Sequence, residues 1–114
     1  MKLDRLLSIP STECILEGPA DAGFTTGFTS DLLSDVMGHA AEGAVLITIQ
    51  AHKNTIAVAS LVGIPAILVC TSRPVPEDMK DVAKQEGIAI YRTALHQYEA
   101  SVALHSLLAE GGEA

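Results

Sequence analysis

The chain has 114 residues, of which 48% are apolar and 18% charged, with 14 acids against 7 bases and a formal charge of -7. A single domain of this length buries roughly two thirds of the surface its unfolded form exposes, so a core forms without disulfides. The acidic balance excludes non-specific nucleic-acid binding, which needs clustered Lys and Arg. Cys14 and Cys70 are too few for a four-ligand metal cluster, and no apolar run approaches the roughly 20 residues of a spanning helix.

Leu3, Leu6 and Leu7 trace a short helical face over residues 2 to 8, stopped by Pro10. Glu13-Cys14-Ile15-Leu16 reads as a strand, and Gly18-Pro19 then opens a loop rich in Gly, Thr and Phe that runs through Thr29. Phe24 and Phe28 are expected to anchor that loop on the core, with a second subunit as the other possible partner. From Ser30 the apolar positions Leu32, Leu33, Val36, Met37 and Ala40 recur at helical spacing, with Thr29 or Ser30 as cap and Asp31 near the positive end.

Ala44 to Ile49 has the pattern of a buried strand, followed by Gln50-Ala51-His52-Lys53 and Asn54 as the expected cap of a helix that is apolar almost all round. Gly63 ends that helix, and Ile64 to Cys70 returns as a strand with Pro65 at its start. Thr71-Ser72-Arg73-Pro74 is a loop and Pro76 begins a helix with Val75, Met79, Val82 and Ala83 on its apolar face. Ile88 to Tyr91 is the last strand, and Leu95, Tyr98, Val102 and His105 trace a face of the final helix, joined by Leu104, Leu107 and Leu108.

Three strand-helix units in succession, with apolar strands that do not alternate, predict a layered α/β sandwich with a mainly parallel central sheet and Rossmann-like right-handed crossovers. The expected organisation is one domain over 1-114, frayed at about 1-10 and 110-114. With no secretory pattern at the start, the expected location is the cytoplasm.

Ligands of open parallel sheets favour the carboxyl edge, where helix amino ends point their amide groups outward. That rule singles out Thr48 through Asn54, Cys70 through Arg73 and Tyr91 through Thr93. His52 can donate or accept a hydrogen bond there, with Thr48, Gln50 and Asn54 completing a polar surface; loop stabilisation or a subunit contact is the alternative role. Arg73 is a candidate anion clamp, aided by Thr71, Ser72 and the amino end of the next helix, or else a solvated or paired cation. Cys14 and Cys70 read as packing, Asp31 and Asp35 as solvated, and neither a metal nor a cofactor is expected. Gly18, Gly23 and Gly27 form no dinucleotide fingerprint, and no phosphate loop is present, so no kinase or nucleotide-hydrolase motif exists.

The runs Ser30-Asp31-Leu32-Leu33-Ser34-Asp35-Val36-Met37 and Thr48 through Ala59 resemble the small DRTGG-domain proteins, especially the stand-alone members associated with iron-only hydrogenase genes. The resemblance covers roughly residues 14 to 108. It extends to Gly63-Ile64-Pro65-Ala66, which is similar to a Gly-Ile-Pro-Val segment of that family, while Gln50 and Ala51 stand where many relatives carry glycines.

The resemblance implies a self-associating, regulatory or ligand-binding α/β domain rather than an enzyme. The expected protein is a homodimer that senses a small anionic or nucleotide ligand, or docks to a redox or signalling partner. Two alternatives stand beside it. His52 before a buried helix and a Gly-Ile-Pro-Ala strand is similar to phosphoenolpyruvate-using swivelling domains, which would make His52 a phosphoacceptor. A purely structural adaptor is the other.

Overall fold

The computed structural model describes residues 1–112. The chain opens with a short 3-10 helix, Leu3–Ser8, and then forms β1 (Thr12–Leu16), β2 (Thr26–Thr29), α1 (Leu33–His39), β3 (Ala44–Thr48), α2 (Lys53–Val62), β4 (Ala66–Val69), α3 (Glu77–Glu86), β5 (Ala89–Thr93) and α4 (Gln97–Glu110). One five-stranded sheet has the order β1-β5-β4-β3-β2; β2, β3, β4 and β5 pair in parallel and β1 lies antiparallel on the outer side of β5. The expected mainly parallel α/β sandwich of Rossmann-like type is therefore the fold.

The unalternating strands have a direct cause. Every residue of β3 and β4 is buried, because helices cover both sheet faces. Val45, Ile47, Ala66, Leu68, Ala89 and Tyr91 pack on one side with Leu3, Leu6, Leu104 and Leu108. Leu46, Ile67, Val69 and Ile90 pack on the other with Val36, Ile56, Met79 and Ala83. Gly63 closes α2 at φ +91, a left-handed geometry that side chains resist, and its N–H returns to Ala59 O.

Several expectations change. The stretch expected to remain a loop through Thr29 contains β2, paired in register with β3 from Thr26↔Ala44 to Thr29↔Ile47. Its own apolar signal is one residue, Phe28; its place depends on Gly27, where an added Cβ would lie 2.5 Å from Leu104 Cδ2. Phe24 anchors the preceding loop in the core at 1% exposure. Residues 1–10, expected to fray, are packed: Leu3, Leu6 and Ile9 are buried, and the Met1 amino group donates to Phe24 O at 2.8 Å. At the other end α4 continues to Glu110, and the expected fraying at 113 and 114 lies outside the described residues.

The helix faces are also narrower than their periodicity suggests. In α1 it is Val36 that is buried, whereas Leu32 and Met37 are exposed. In α4 the buried residues are Ala100, Leu104, Leu107 and Leu108, so Tyr98, Val102 and His105 form the outer stripe instead of the inner one. The chain contained two apolar stripes along α4, and contact with β2 and β3 selects between them.

Candidate functional site at the carboxyl edge of the sheet

The parallel strands β2 to β5 all end at one edge, and the loops that leave them are tied to one another there. Asp31, just beyond β2, is the centre of these ties. Its Oδ1 accepts from Thr48 Oγ1, from Ile49 N–H and from Gln97 Nε2, each at 2.9 Å. One carboxylate oxygen thereby joins the ends of β2 and β3 to the start of α4. This role replaces the expected ones of solvated acid and helix-end acid. The expected cap also shifts: Ser30 Oγ accepts from Leu32 N–H ahead of the helix, while Thr29 is hydrogen-bonded to Ser101 across to α4.

The β3–α2 loop follows from the same network. The Thr48 hydroxyl donates to Asp31 and accepts from Gln50 N–H at 3.0 Å, and Thr55 Oγ1 donates to Gln50 O at 2.8 Å. Thr48 is fully buried, so its hydroxyl faces the protein and not the solvent. His52, rather than Asn54, caps α2: its Nδ1 accepts from Asn54 N–H at 3.0 Å. An accepting Nδ1 places the neutral ring's proton on Nε2. The His52 ring is exposed, as are Gln50, Lys53 and Asn54.

The β4–α3 loop is a tight turn. Arg73 N–H closes onto Cys70 O at 3.4 Å, and both central residues, Thr71 at φ 58 and Ser72 at φ 52, are left-handed. Two positive φ values in succession are the signature of a type I′ turn, a conformation normally left to Gly, Asn and Asp. Its neighbours hold it in place. Thr71 N–H donates to Leu95 O and Ser72 N–H to Thr93 O, both at 2.9 Å, and Arg92 Nη1 donates to Arg73 O at 3.4 Å. Arg92 in turn bonds Glu13 through Nε and Nη2, both at 3.3 Å, across the β1–β5 pair.

Arg73 itself is exposed, and its guanidinium makes no hydrogen bond or ion pair among the described residues. The helix that follows it, expected to aid in holding an anion, carries Glu77 and Asp78 in its first turn, acids that offset its positive end. The first turn of α2 has no acid and contains Lys53. The acid-free helix end at this edge is thus that of α2, with Arg73 an exposed cation after the neighbouring strand.

Cys70 lies beneath the site, fully buried. Burial first and the Asp31 carboxylate second push its thiol up to about 11, so it is an inert packing group. Burial likewise raises the Cys14 thiol, and it pushes its cross-strand partner Tyr91 up to about 12.

Thr48, Gln50, His52, Asn54, Thr71, Ser72 and Arg73 all lie at the carboxyl edge, Thr48 as the last residue of β3, the next three after it and the last three after β4. Thr48 faces inward, leaving Gln50, His52, Asn54, Ser72 and Arg73 as its outward polar groups. A cleft of about 340 Å³ between β2 and α4 and another of about 270 Å³ beside the amino-terminal segment are lined by none of these residues. Asp31, Arg92 and Gln97 are the residues that organise the edge, and periodicity did not mark them, because each acts through partners distant in sequence. Among the described residues, no group of three or more His, Cys, Asp or Glu is placed to hold a metal ion. No helix among them is long and apolar enough to cross a membrane.

A mostly parallel sheet sandwiched between helices, with its loops gathered at one edge, defines an α/β domain of Rossmann-like type. Among solved structures, the chain is similar to the CBS and DRTGG domains of the regulatory region of Clostridium perfringens pyrophosphatase, complexed with the activator diadenosine tetraphosphate, at a TM-score of 0.66 and 13% identity. The match covers 94% of this chain and 46% of that one, so this chain spans about half its length. The fold is thus one found in a DRTGG/CBS regulatory region. No family model and no curated protein matches the chain.

Proposed function

We propose that the chain is a non-catalytic regulatory domain that senses a small anionic or nucleotide ligand at the carboxyl edge of its sheet and relays this to a redox or signalling partner. The observation that carries the reading is that the β3–α2 and β4–α3 loops leave neighbouring parallel strands at that edge, the first leading into an acid-free helix amino end and the second formed by a strained turn followed by an exposed arginine. Backbone strain of this kind persists only where the surroundings impose it, and it concentrates at binding and switch segments. A fold shared with a regulatory region solved with a dinucleotide activator supports the same class of function. His52, Lys53 and the α2 amide groups would meet the anion, with Gln50, Asn54, Ser72 and Arg73 around it.

Titration calorimetry of the full chain with inorganic pyrophosphate, ATP and diadenosine tetraphosphate tests this. At least one is expected to bind saturably, and the His52→Asn, Arg73→Ala double variant to weaken it at least tenfold. Absence of saturable binding to all three would sink the reading.

A second reading, a phosphoryl carrier, is favoured by one observation: the exposed His52 ring presents an unprotonated Nδ1, held by the Asn54 amide, which would attack phosphorus on leaving that cap. Incubation with phosphoenolpyruvate and its phosphotransferase, followed by mass measurement, would then give an acid-labile phosphoryl adduct that His52→Ala abolishes. The adaptor reading predicts partner binding that survives loss of both His52 and Arg73.

A further inference from the structure

The two edges of the sheet differ in how they meet solvent. The β1 edge carries devices that discourage pairing with another strand: the exposed charge of Glu13, an irregularity between Cys14 and Leu16, and Pro10 and Pro19 on either side. β2 keeps one register along β3, and from Ala22 through Ser30 there is no Asp, Glu, Lys, Arg or Pro. As an outer strand β2 pairs on one side only, so about half of its backbone N–H and C=O groups face outward.

A cleft of about 340 Å³ runs beside this edge, between Thr25, Gly27 and Thr29 on one side and Ser101, Leu104 and His105 of α4 on the other. Gly27 opens it, because there β2 presents no side chain to α4, and an added Cβ would meet Leu104. The buried Leu104 and Ile47 give it an apolar floor, while the Thr29 and Ser101 hydroxyls, joined at 2.7 Å, and the exposed His105 ring give it a polar rim. No Asp, Glu, Lys or Arg lines it.

Charge is divided unevenly around this cleft. Every Lys and Arg of the chain lies within residues 1–5 or 53–92, so β2, α1, β3 and α4 hold none. Acids are present on the same elements or beside them: Asp35 on α1, Glu42 before β3 and Glu99 on α4. An uncharged strip with free backbone groups is thus set among elements that carry acids and no Lys or Arg.

We propose that the β2 edge receives an extended, basic segment of a partner protein, which adds as a further strand beside β2, seats an aliphatic side chain in the cleft and sets Lys or Arg against the surrounding acids. Charge complementarity selects this occupant. A second copy of this chain, at -7, or an anionic polymer would bring like charge to a side that has no Lys or Arg to receive it. Main-chain hydrogen bonds to the edge supply affinity, and the cleft and the acids supply the choice of sequence. The proposal gives the partner of the functional reading a surface and a chemistry, and it rests on that reading only for there being a partner.

The probe is a displayed library of random dodecapeptides panned against the full chain, with the selected peptides then synthesised and measured by fluorescence anisotropy. The expected selection is Lys or Arg flanking Val, Ile or Leu, with an affinity that falls at least tenfold from low to high salt. The Thr29→Lys, His105→Lys double variant, at two exposed positions that line the cleft, is expected to weaken binding at least tenfold. Asp81→Lys, the same change in net charge at an exposed position on α3, is expected to leave it within twofold. Because an added strand pairs along one of its edges, N-methylation of alternate peptide residues should abolish binding in one frame and spare it in the other. Amide hydrogen exchange at residues 26 to 29 should slow when peptide is added. The proposal is overturned by a library that yields no binder or only acidic or uncharged ones, by binding that tolerates the double variant, or by binding that survives methylation in both frames. Protection at 26 to 29 that rises with chain concentration in the absence of peptide would assign the edge to a second copy and overturn it as well. The His52→Asn, Arg73→Ala variant should bind peptide as the parent does, so failure here and failure of ligand sensing at the carboxyl edge are told apart.

Discussion

The Gln97 carboxamide donates to Asp31 Oδ1 at 2.9 Å across a separation of 66 positions. This bond docks the first turn of the last helix onto the loop after β2, at the oxygen that also holds Thr48 and Ile49. Hydrogen bonds to a carboxylate are stronger than neutral ones, and a buried donor that loses its acceptor costs its full desolvation.

Asp31→Ala is therefore expected to destabilise the chain by about 2–4 kcal/mol, because the buried Thr48 hydroxyl and the Ile49 amide both lose their acceptor. Asp31→Asn, which retains an acceptor oxygen but not the charge, should cost about half as much. Urea unfolding midpoints measure both. An unchanged midpoint for Asp31→Ala would show that the loop re-satisfies these donors elsewhere.

The cap at His52 separates structure from recognition. His52→Ala should lower stability by about 1 kcal/mol, the usual cost of losing a side-chain cap. His52→Asn should recover most of it, since a carboxamide oxygen reaches the same amide groups. If the Asn variant keeps the thermal midpoint of the parent but loses ligand affinity, the imidazole itself contacts ligand.

Thr71 and Ser72 occupy a backbone conformation that suits Asn and Gly. The double substitution Thr71→Asn, Ser72→Gly is expected to raise stability by about 1 kcal/mol, because relief of two left-handed side chains outweighs the extra freedom of glycine in the unfolded chain. Thermal melts follow the gain, and calorimetry shows whether the relaxed turn also weakens ligand. A fall in stability would mean that the Thr71 hydroxyl, which donates to Cys70 O at 2.7 Å, contributes more than the strain costs.

Alkaline pH should destabilise the fold through Cys70. Below the ordinary thiol value of 9.0 both folded and unfolded chains hold the proton, and stability does not change with this group. Between 9.0 and about 11 the unfolded chain has lost it while the folded chain has not, so stability falls as pH rises. Tyr91, pushed from 10.0 to about 12, extends the loss in the same direction. Urea midpoints should decline across this window and decline less in Cys70→Ala. In native protein at pH 8, Cys70 should react with a thiol reagent only as fast as the chain opens.

Periodicity and composition alone determined the succession of strands and helices from Ala44 onward. A run such as Ala44–Thr48, apolar at each position but its last, has one low-energy setting, a parallel strand covered on both faces, and Gly63 and Gly87 end their helices by a local preference that needs no partner. The carboxyl-edge location of Gln50, His52 and Arg73 follows from the same alternation, since residues just after a parallel strand share its end. What the tertiary structure decided were the choices between locally equivalent states. Thr26–Thr29 is a strand because β3 offers it a ladder; α4 buries Leu104 and not Val102 because β2 and β3 lie on that side. Asp31 is a hub, and not a solvated acid, because Thr48 and Gln97 are brought to it from positions 17 and 66 residues away. Energies of that kind come from pairs distant in the chain, and no local pattern of residue types records them.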